Sequence, residues 1–327
     1  MQDSVQLRPV IMKSLNPLRR LRSRSLARLR DVSSGNVPPI LGKALNTARR
    51  KAAELSDKMV GSDFEERVQW LRARYQAMGG DPFGLDPEVA QSAVRVLAFF
   101  HRLYFRTESQ GLQNLPEGRC LLVANHGGQI PIDGALVGSA LFLDANPPRV
   151  ARAMIDTWAA TLPFVSTFYN QVGQVVGVPE NARKLLEMGE ALLVFPEGTR
   201  GISKPFNDRY RLQDFGHGFM RLAIETNTPI VPVAIVGAEE QYVNLGNVEW
   251  AAKALGIPAF PVMPQLLVPG GQLPLPIKYR LRFGEPLTFR GAHDADERII
   301  GDKVWLVKQT IQNLLNQTLD ERSNVFF

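Results

Sequence analysis

The sequence predicts an α/β domain, a mixed sheet flanked by helices, preceded by N-terminal helices and a basic N-terminal arm. Three observations carry that prediction. From Cys120 onward, short apolar runs alternate with helix-like segments, as in a sheet with crossover helices. Two of those runs end in polar, Gly-containing turns, Asn125-His126-Gly127-Gly128 and Pro196-Glu197-Gly198-Thr199-Arg200. The charge is also uneven: thirteen basic and four acidic residues in the first sixty leave that stretch at +9 and the remainder at −3, out of a total of +6. A hydrophobic fraction of 45% over 327 residues is ample for a full core.

Residues 1–62 read as arm and linker, and 63–327 as the main domain with a helical segment over 63–110. In the arm, Leu15, Leu18, Leu21, Leu26, Leu29 and Val32 share one side of a helical wheel while most arginines lie elsewhere. That pattern fits a basic amphipathic helix lying on an anionic bilayer. It equally fits a solvated Arg/Ser-rich tail. Nucleic acid is not an expected partner, because the arm has no aromatic residue to stack on bases and the body has no basic excess. Gly35, Pro38 and Pro39 mark 33–39 as a linker.

A first helix is expected from Phe64 to near Gly79 and Gly80. A second follows Asp86-Pro87, where Asp caps and Pro occupies the first turn. It carries Val89, Val94, Val96, Leu97, Phe99, Phe100, Leu103 and Phe105, a surface suited to a core or to a membrane interface. Strands are expected at 120–124, 192–195, 230–236 and 279–283, and helices at 134–143, 181–188 and 218–226. In open α/β sheets ligands sit beyond the carboxyl ends of strands, which is where His126 and Glu197 fall.

Several function classes lose support. The single cysteine, Cys120, excludes an internal disulfide and paired-thiol zinc sites, and fits a reducing, cytosolic setting. His101, His217 and His293 are scattered without ligand spacing, so no metal and no bound cofactor are expected. No Gly-x-Ser-x-Gly elbow and no P-loop is present. The first thirty residues are charged throughout, and no apolar run reaches about 18 residues, so neither export nor membrane crossing is expected.

The two strand-end turns carry the chemistry. An imidazole can take a proton from an alcohol if a carboxylate holds its other nitrogen, and His126 and Asp133 are a candidate dyad. Asp133 also directly precedes Gly134-Ala135-Leu136-Val137, so it is equally a candidate helix cap. Glu197, Gly198, Thr199 and Arg200 offer a carboxylate, a flexible turn, a hydroxyl and a guanidinium suited to a polar or phosphorylated acceptor, or else an ordinary surface turn.

Taken in order and spacing, Asn125-His126…Asp133, Phe195-Pro196-Glu197-Gly198-Thr199-Arg200 and Pro229-Ile230-Val231-Pro232-Val233 resemble the blocks of the phospholipid/glycerol acyltransferase family. The resemblance spans 117–289. It implies a glycerol-phosphate acyltransferase-like fold, with His126 as general base and Asp133 as its orienting partner. It implies further that Glu197, Gly198, Thr199 and Arg200 bind the acceptor, and that Pro232 belongs to the acyl-donor side. The amides of Gly127 and Gly128 are candidates for the oxyanion. Two departures stand out. Six residues, rather than the family's usual four, separate His126 from Asp133. The block where the family often places an arginine for an acceptor phosphate has none here until Arg183, leaving Arg183 or Arg152 as substitutes.

The stretch 255–269 is apolar and too proline-rich for a regular helix, and Gly270, Gly271 and Leu273-Pro274-Leu275-Pro276 follow it. It suits a cover over an acyl tunnel, a segment dipping into one leaflet, or simple packing over the sheet edge. The resulting expectation is a fatty acyltransferase using acyl-CoA or acyl-carrier protein as co-substrate and a lysophospholipid or related glycerolipid as acceptor. It would sit peripherally on the cytoplasmic face of a membrane through the arm and the apolar loop. The rivals are a non-catalytic lipid-binding or tethering protein on the same scaffold, and an acyl-thioester hydrolase.

Overall fold

The computed structural model describes residues 57–157, 165–257 and 259–326, with positions 47, 50, 51 and 54 before them. The arm helix and the 33–39 linker expected from the sequence lie outside the described residues. The chain divides into two compact units, Met1–Leu55 and Ser56–Phe327.

The described residues of the second unit form a seven-stranded sheet. The strands are β1 (Glu108–Gln110), β2 (Cys120–Ala124), β3 (Ala151–Ile155), β4 (Val175–Val176), β5 (Ala191–Val194), β6 (Ile230–Val236) and β7 (Arg280–Phe283). Their spatial order is β1-β7-β6-β2-β5-β3-β4. β7 runs antiparallel to β6 while every other pairing is parallel, so the sheet is mixed, as expected. β2 lies at its centre between β5 and β6. The expected strands are present to within a residue at either end. β1, β3 and β4 are not among them, because β1 and β4 are very short and β3 carries a charge, Arg152, in mid-strand.

The period-two alternation of β2 decides which core each residue joins. Leu121 and Val123 face Leu185 and Leu186 of α5 (Pro179–Glu187), Met220 of α7 (Gly218–Glu225) and Val307 and Ile311 of α9 (Glu297–Asp320). Cys120, Leu122 and Ala124 face Leu136, Val137 and Ala140 of α3 (Ile132–Leu143). α3 is apolar nearly all round because it has cover on both sides. Its Phe142 and Leu143 join Val60, Phe64, Val68 and Leu71 in a third cluster with α1 (Phe64–Ala77) and α2 (Pro87–Phe99). Asp86 caps α2 as expected, its Oδ1 accepting from the amides of Glu88 at 2.8 Å and Val89 at 3.3 Å. α2 runs on into one π-helical turn, Phe100–Tyr104, and its apolar surface is divided. Ala98 and Phe105 are buried, whereas Val96, Phe99 and Leu103 stay exposed.

α3 begins at Ile132, two residues before the expected 134. Asp133 therefore lies inside the first turn and does not cap the helix; the flanking residue is Pro131, whose side chain caps nothing. The cap reading of Asp133 is corrected on that ground.

Candidate functional site

Three neighbouring strands, β5, β2 and β6, deliver their carboxyl ends to one place. Asn125, the residue after β2, extends the pairing with its side chain. Its Nδ2 donates to the Ile235 carbonyl at 3.0 Å and its Oδ1 accepts from the Ile235 amide at 2.7 Å. Fully buried, it fixes the chain just before His126. The imidazole then stacks on the Phe195 ring at a centroid distance of 4.0 Å and an interplanar angle of 19°.

His126 Nδ1 lies 2.6 Å from Asp133 Oδ2. The aspartate is fully buried, while the His126 side chain keeps 13% exposure, so the ring is gripped on one nitrogen and open on the other side. The Asp133 carboxylate also accepts from the Gly127 amide at 3.1 Å and from the Gly134 amide at 2.8 Å. An ionised carboxylate is the form that accepts from all three, which assigns the proton to Nδ1 and leaves Nε2 as the basic atom. The six-residue spacing is absorbed by backbone geometry. Gly128 and Gln129 take consecutive positive φ values of 90° and 65°, and tight turns bond Ile130 N to Gly128 O and Ile132 N to Ile130 O, both at 2.7 Å.

The Gly127 amide is therefore committed to Asp133, which removes it as an oxyanion donor. Gly128 N has no hydrogen-bond acceptor among the described residues. Both positions also exclude a side chain. A Cβ on Gly127 would lie 2.3 Å from Glu239 Cγ, and one on Gly128 2.2 Å from Gln241 Nε2.

Glu197 reaches the same loop from β5. Its Oε1 accepts from the His126 amide at 3.0 Å, and its Oε2 from the Gln213 amide at 2.8 Å and from Lys204 at 3.2 Å. Expected at the acceptor, this carboxylate is buried and spent on holding the protein together. Gly198, Thr199 and Arg200 follow it into the short helix α6 (Thr199–Ile202), which abuts the histidine: a Cβ on Gly201 would stand 2.9 Å from His126 Cβ. Arg200 is exposed and donates to the Asp214 carbonyl at 2.9 Å. Pro232 is buried inside β6 opposite Val123, within the sheet and short of the strand's carboxyl end.

The two substitute arginines point elsewhere. Arg152 is fully buried and pairs with both oxygens of Asp81, at 3.1 and 3.0 Å, besides donating to Gly173 O at 2.6 Å. Arg183 forms a bidentate pair with Glu225 between α5 and α7, at 2.8 and 3.2 Å. The expectation that either meets an acceptor phosphate is corrected: each already has a carboxylate in place.

The sequence reading missed Lys204, Glu239 and Gln241. Lys204 Nζ is buried between Glu197 and Glu239, 3.0 Å from the latter. Burial pushes the Glu239 carboxyl up to about 7, against the pull of Lys204, with Glu197 adding to the rise. Gln241 Nε2 donates to Gly128 O at 2.8 Å, and its Oε1 accepts from Tyr279 Oη at 2.7 Å. A signal existed for the last two, since Glu239-Glu240-Gln241 follows directly on the apolar run of β6. Lys204 had none. Among the described residues no cluster of three or more metal-ligating side chains occurs.

A family model described as Acyltransferase matches residues 106–236. An uncharacterised protein of Mycobacterium leprae is 41% identical over 255 residues, covering 76% of this chain and 70% of that one. The human DGAT1/2-independent enzyme synthesizing storage lipids is 25% identical over 215 residues, covering 64% of this chain and 61% of its own. Among solved structures, the 1-acyl-sn-glycerophosphate (LPA) acyltransferase PlsC of Thermotoga maritima is similar at a TM-score of 0.46 and 18% identity, over 85% of this chain and 99% of that one.

Proposed function

The chain belongs to the acyltransferase family, and on that premise we propose that it moves a fatty acyl group from an acyl-CoA or acyl-carrier-protein thioester to a hydroxyl of a lysophospholipid or related glycerolipid. The observation that carries the reading is the His126–Asp133 contact at 2.6 Å, with the opposite edge of the ring left open. In this mechanism Nε2 accepts the proton of the acceptor hydroxyl as its oxygen attacks the thioester carbonyl. Asp133 stabilises the imidazolium that forms. The tetrahedral oxyanion collapses, the carbon–sulfur bond breaks, and the imidazolium returns its proton to the leaving thiolate. Gly128 N remains the amide available to the oxyanion.

On the acceptor side, Thr199 and Arg200 are the members of the Glu-Gly-Thr-Arg turn whose polar groups stay outside the protein interior. Arg200 is then the cation to meet a phosphate, and a neutral glycerolipid would leave it facing water. The membrane surface completes the proposal. Residues 255–277 contain no charged side chain, and Leu255, Leu266, Leu267, Val268 and Leu273 are exposed there. No described helix is long and apolar enough to cross a membrane, which suits attachment to one face.

The test is thiol release from long-chain acyl-CoA and acyl-carrier protein by the purified protein, with phosphorylated and neutral acceptors supplied in turn. Acceptor-dependent release that disappears in His126→Ala is the expected result. Release without acceptor would identify a hydrolase, and lipid binding without any release a binding protein.

A further inference from the structure

We infer that Lys204 is a positioning residue for the reaction, holding the Glu197 carboxylate where it clamps the backbone of the catalytic histidine. The inference rests on His126 acting as the base.

Two carboxylates, Glu197 and Glu239, are buried side by side, and each braces the histidine loop in its own way. Glu197 receives the His126 amide at 3.0 Å. Glu239 packs its Cγ against the site where Gly127 would carry a side chain, and takes the Tyr210 amide on Oε2 at 3.0 Å. Between them, 3.2 Å from one and 3.0 Å from the other, sits the Lys204 ammonium, its side chain only 4% exposed. Its third contact is the Arg211 carbonyl at 3.3 Å. The ammonium thus donates to Glu239 and to the Arg211 carbonyl, and its charge lies against both carboxylates.

Two like charges in a dry site repel, and a buried charge without a partner is costly. Lysine is what lets both carboxylates hold their places. Without it, Glu239 would hold its proton to still higher pH and turn its hydroxyl towards Glu197. That shift draws the Glu197 carboxylate off the His126 amide and frees the loop carrying the imidazole. Displacements of about 1 Å at such a point cost on the order of 100-fold in rate. The effect belongs in kcat, since on this inference Lys204 acts through the loop that carries His126.

The experiment compares wild type, Lys204→Met and the double variant Lys204→Met/Glu239→Gln, all as the full chain. Each is assayed for acyl transfer, for melting temperature, and for the rate at which His126 is carbethoxylated by diethyl pyrocarbonate, read by mass spectrometry. Lys204→Met should lower kcat about 10- to 100-fold with both KM values little changed, and should raise the His126 modification rate several-fold. In the double variant the side-chain amide introduced at position 239 can donate to Glu197 in place of the ammonium, so most of kcat and the slow modification rate should return. An unchanged kcat in a folded Lys204→Met protein would overturn the inference. So would a loss confined to KM, or a loss the double variant does not recover at equal melting temperature. Should wild type itself transfer no acyl group, the enzymatic reading fails. The modification rates would then still decide whether Lys204 positions His126.

Discussion

Asp133 shows how much one side chain settles. It sits in the first turn of α3, fully buried, and its carboxylate gathers the His126 ring, the Gly127 amide and the Gly134 amide. An amide in its place would bring an NH2 group against donors and free His126 to adopt the other tautomer. Asp133→Asn should therefore lower kcat about 10²- to 10⁴-fold while acceptor KM stays within a few-fold, as steady-state kinetics on the folded variant would show. An unchanged rate would leave the aspartate a purely structural group. His126 and Asp133 were legible in the sequence because both stand at a recognisable strand end and helix start. Lys204 was not, since a lysine in a polar turn looks solvated until the fold encloses it between two carboxylates that are 7 and 35 residues away in the chain.

At the level of elements, buried charge marks where the sheet is tied to its surroundings. β3 carries Arg152, whose guanidinium is held by Asp81 in the turn between α1 and α2. Removing one partner of a buried pair strands the other, so Arg152→Ala should cost about 3–5 kcal/mol in urea unfolding. A loss below about 1 kcal/mol would show the pair to be dispensable. The segment after β6 has a different signature. Glu239, pushed up to about 7 by burial, binds its proton more tightly in the native state than in the unfolded chain, where the ordinary value is 4.5. Its stabilising contribution is complete below about pH 4.5 and is lost as pH rises through about 7. The stability difference between wild type and Glu239→Gln should thus change by about 3 kcal/mol between pH 4.5 and 8, moving against the wild type. A pH-independent difference in chemical denaturation would contradict that assignment. The apolar runs of β2 and β6 announced those strands, whereas β3 stayed hidden because its arginine breaks the apolar pattern that makes a buried strand readable.

For the whole molecule, the proposed reaction requires a site at the carboxyl edge of the sheet to meet a lipid. The charge-free stretch 255–277 is bonded to the side of the fold that carries His126. Leu275 N donates to Gln241 O at 2.9 Å, Tyr242 Oη to Gln272 O at 2.8 Å, and Gln241 in turn holds Gly128 O. Tyr104 Oη ties the exposed end of the second helix to Pro274 O at 2.5 Å, bringing Leu103 into the same neighbourhood. Replacing Leu266, Leu267 and Leu273 by Ser should weaken binding to phospholipid vesicles in co-sedimentation. Turnover of a water-soluble short-chain acyl-CoA should be kept. Equal sedimentation of wild type and variant would contradict membrane attachment through this stretch.

By itself the sequence determined the α/β class, the central strands, the bounds of the first helix, the start of the second, and His126 and Asp133 as candidate partners. Each of these depends on local chemistry: apolar period, a capping Asp-Pro, a polar turn after a strand. Tertiary structure decided the rest. It decided between the two readings of Asp133, histidine partner and helix cap, in favour of the first, and committed the Gly127 amide to that aspartate. It turned Glu197 inward and gave Arg152 and Arg183 carboxylates away from the site. For the buried groups among these the deciding quantity is which of them are deprived of water together, and that is fixed only when strands distant in sequence lie side by side.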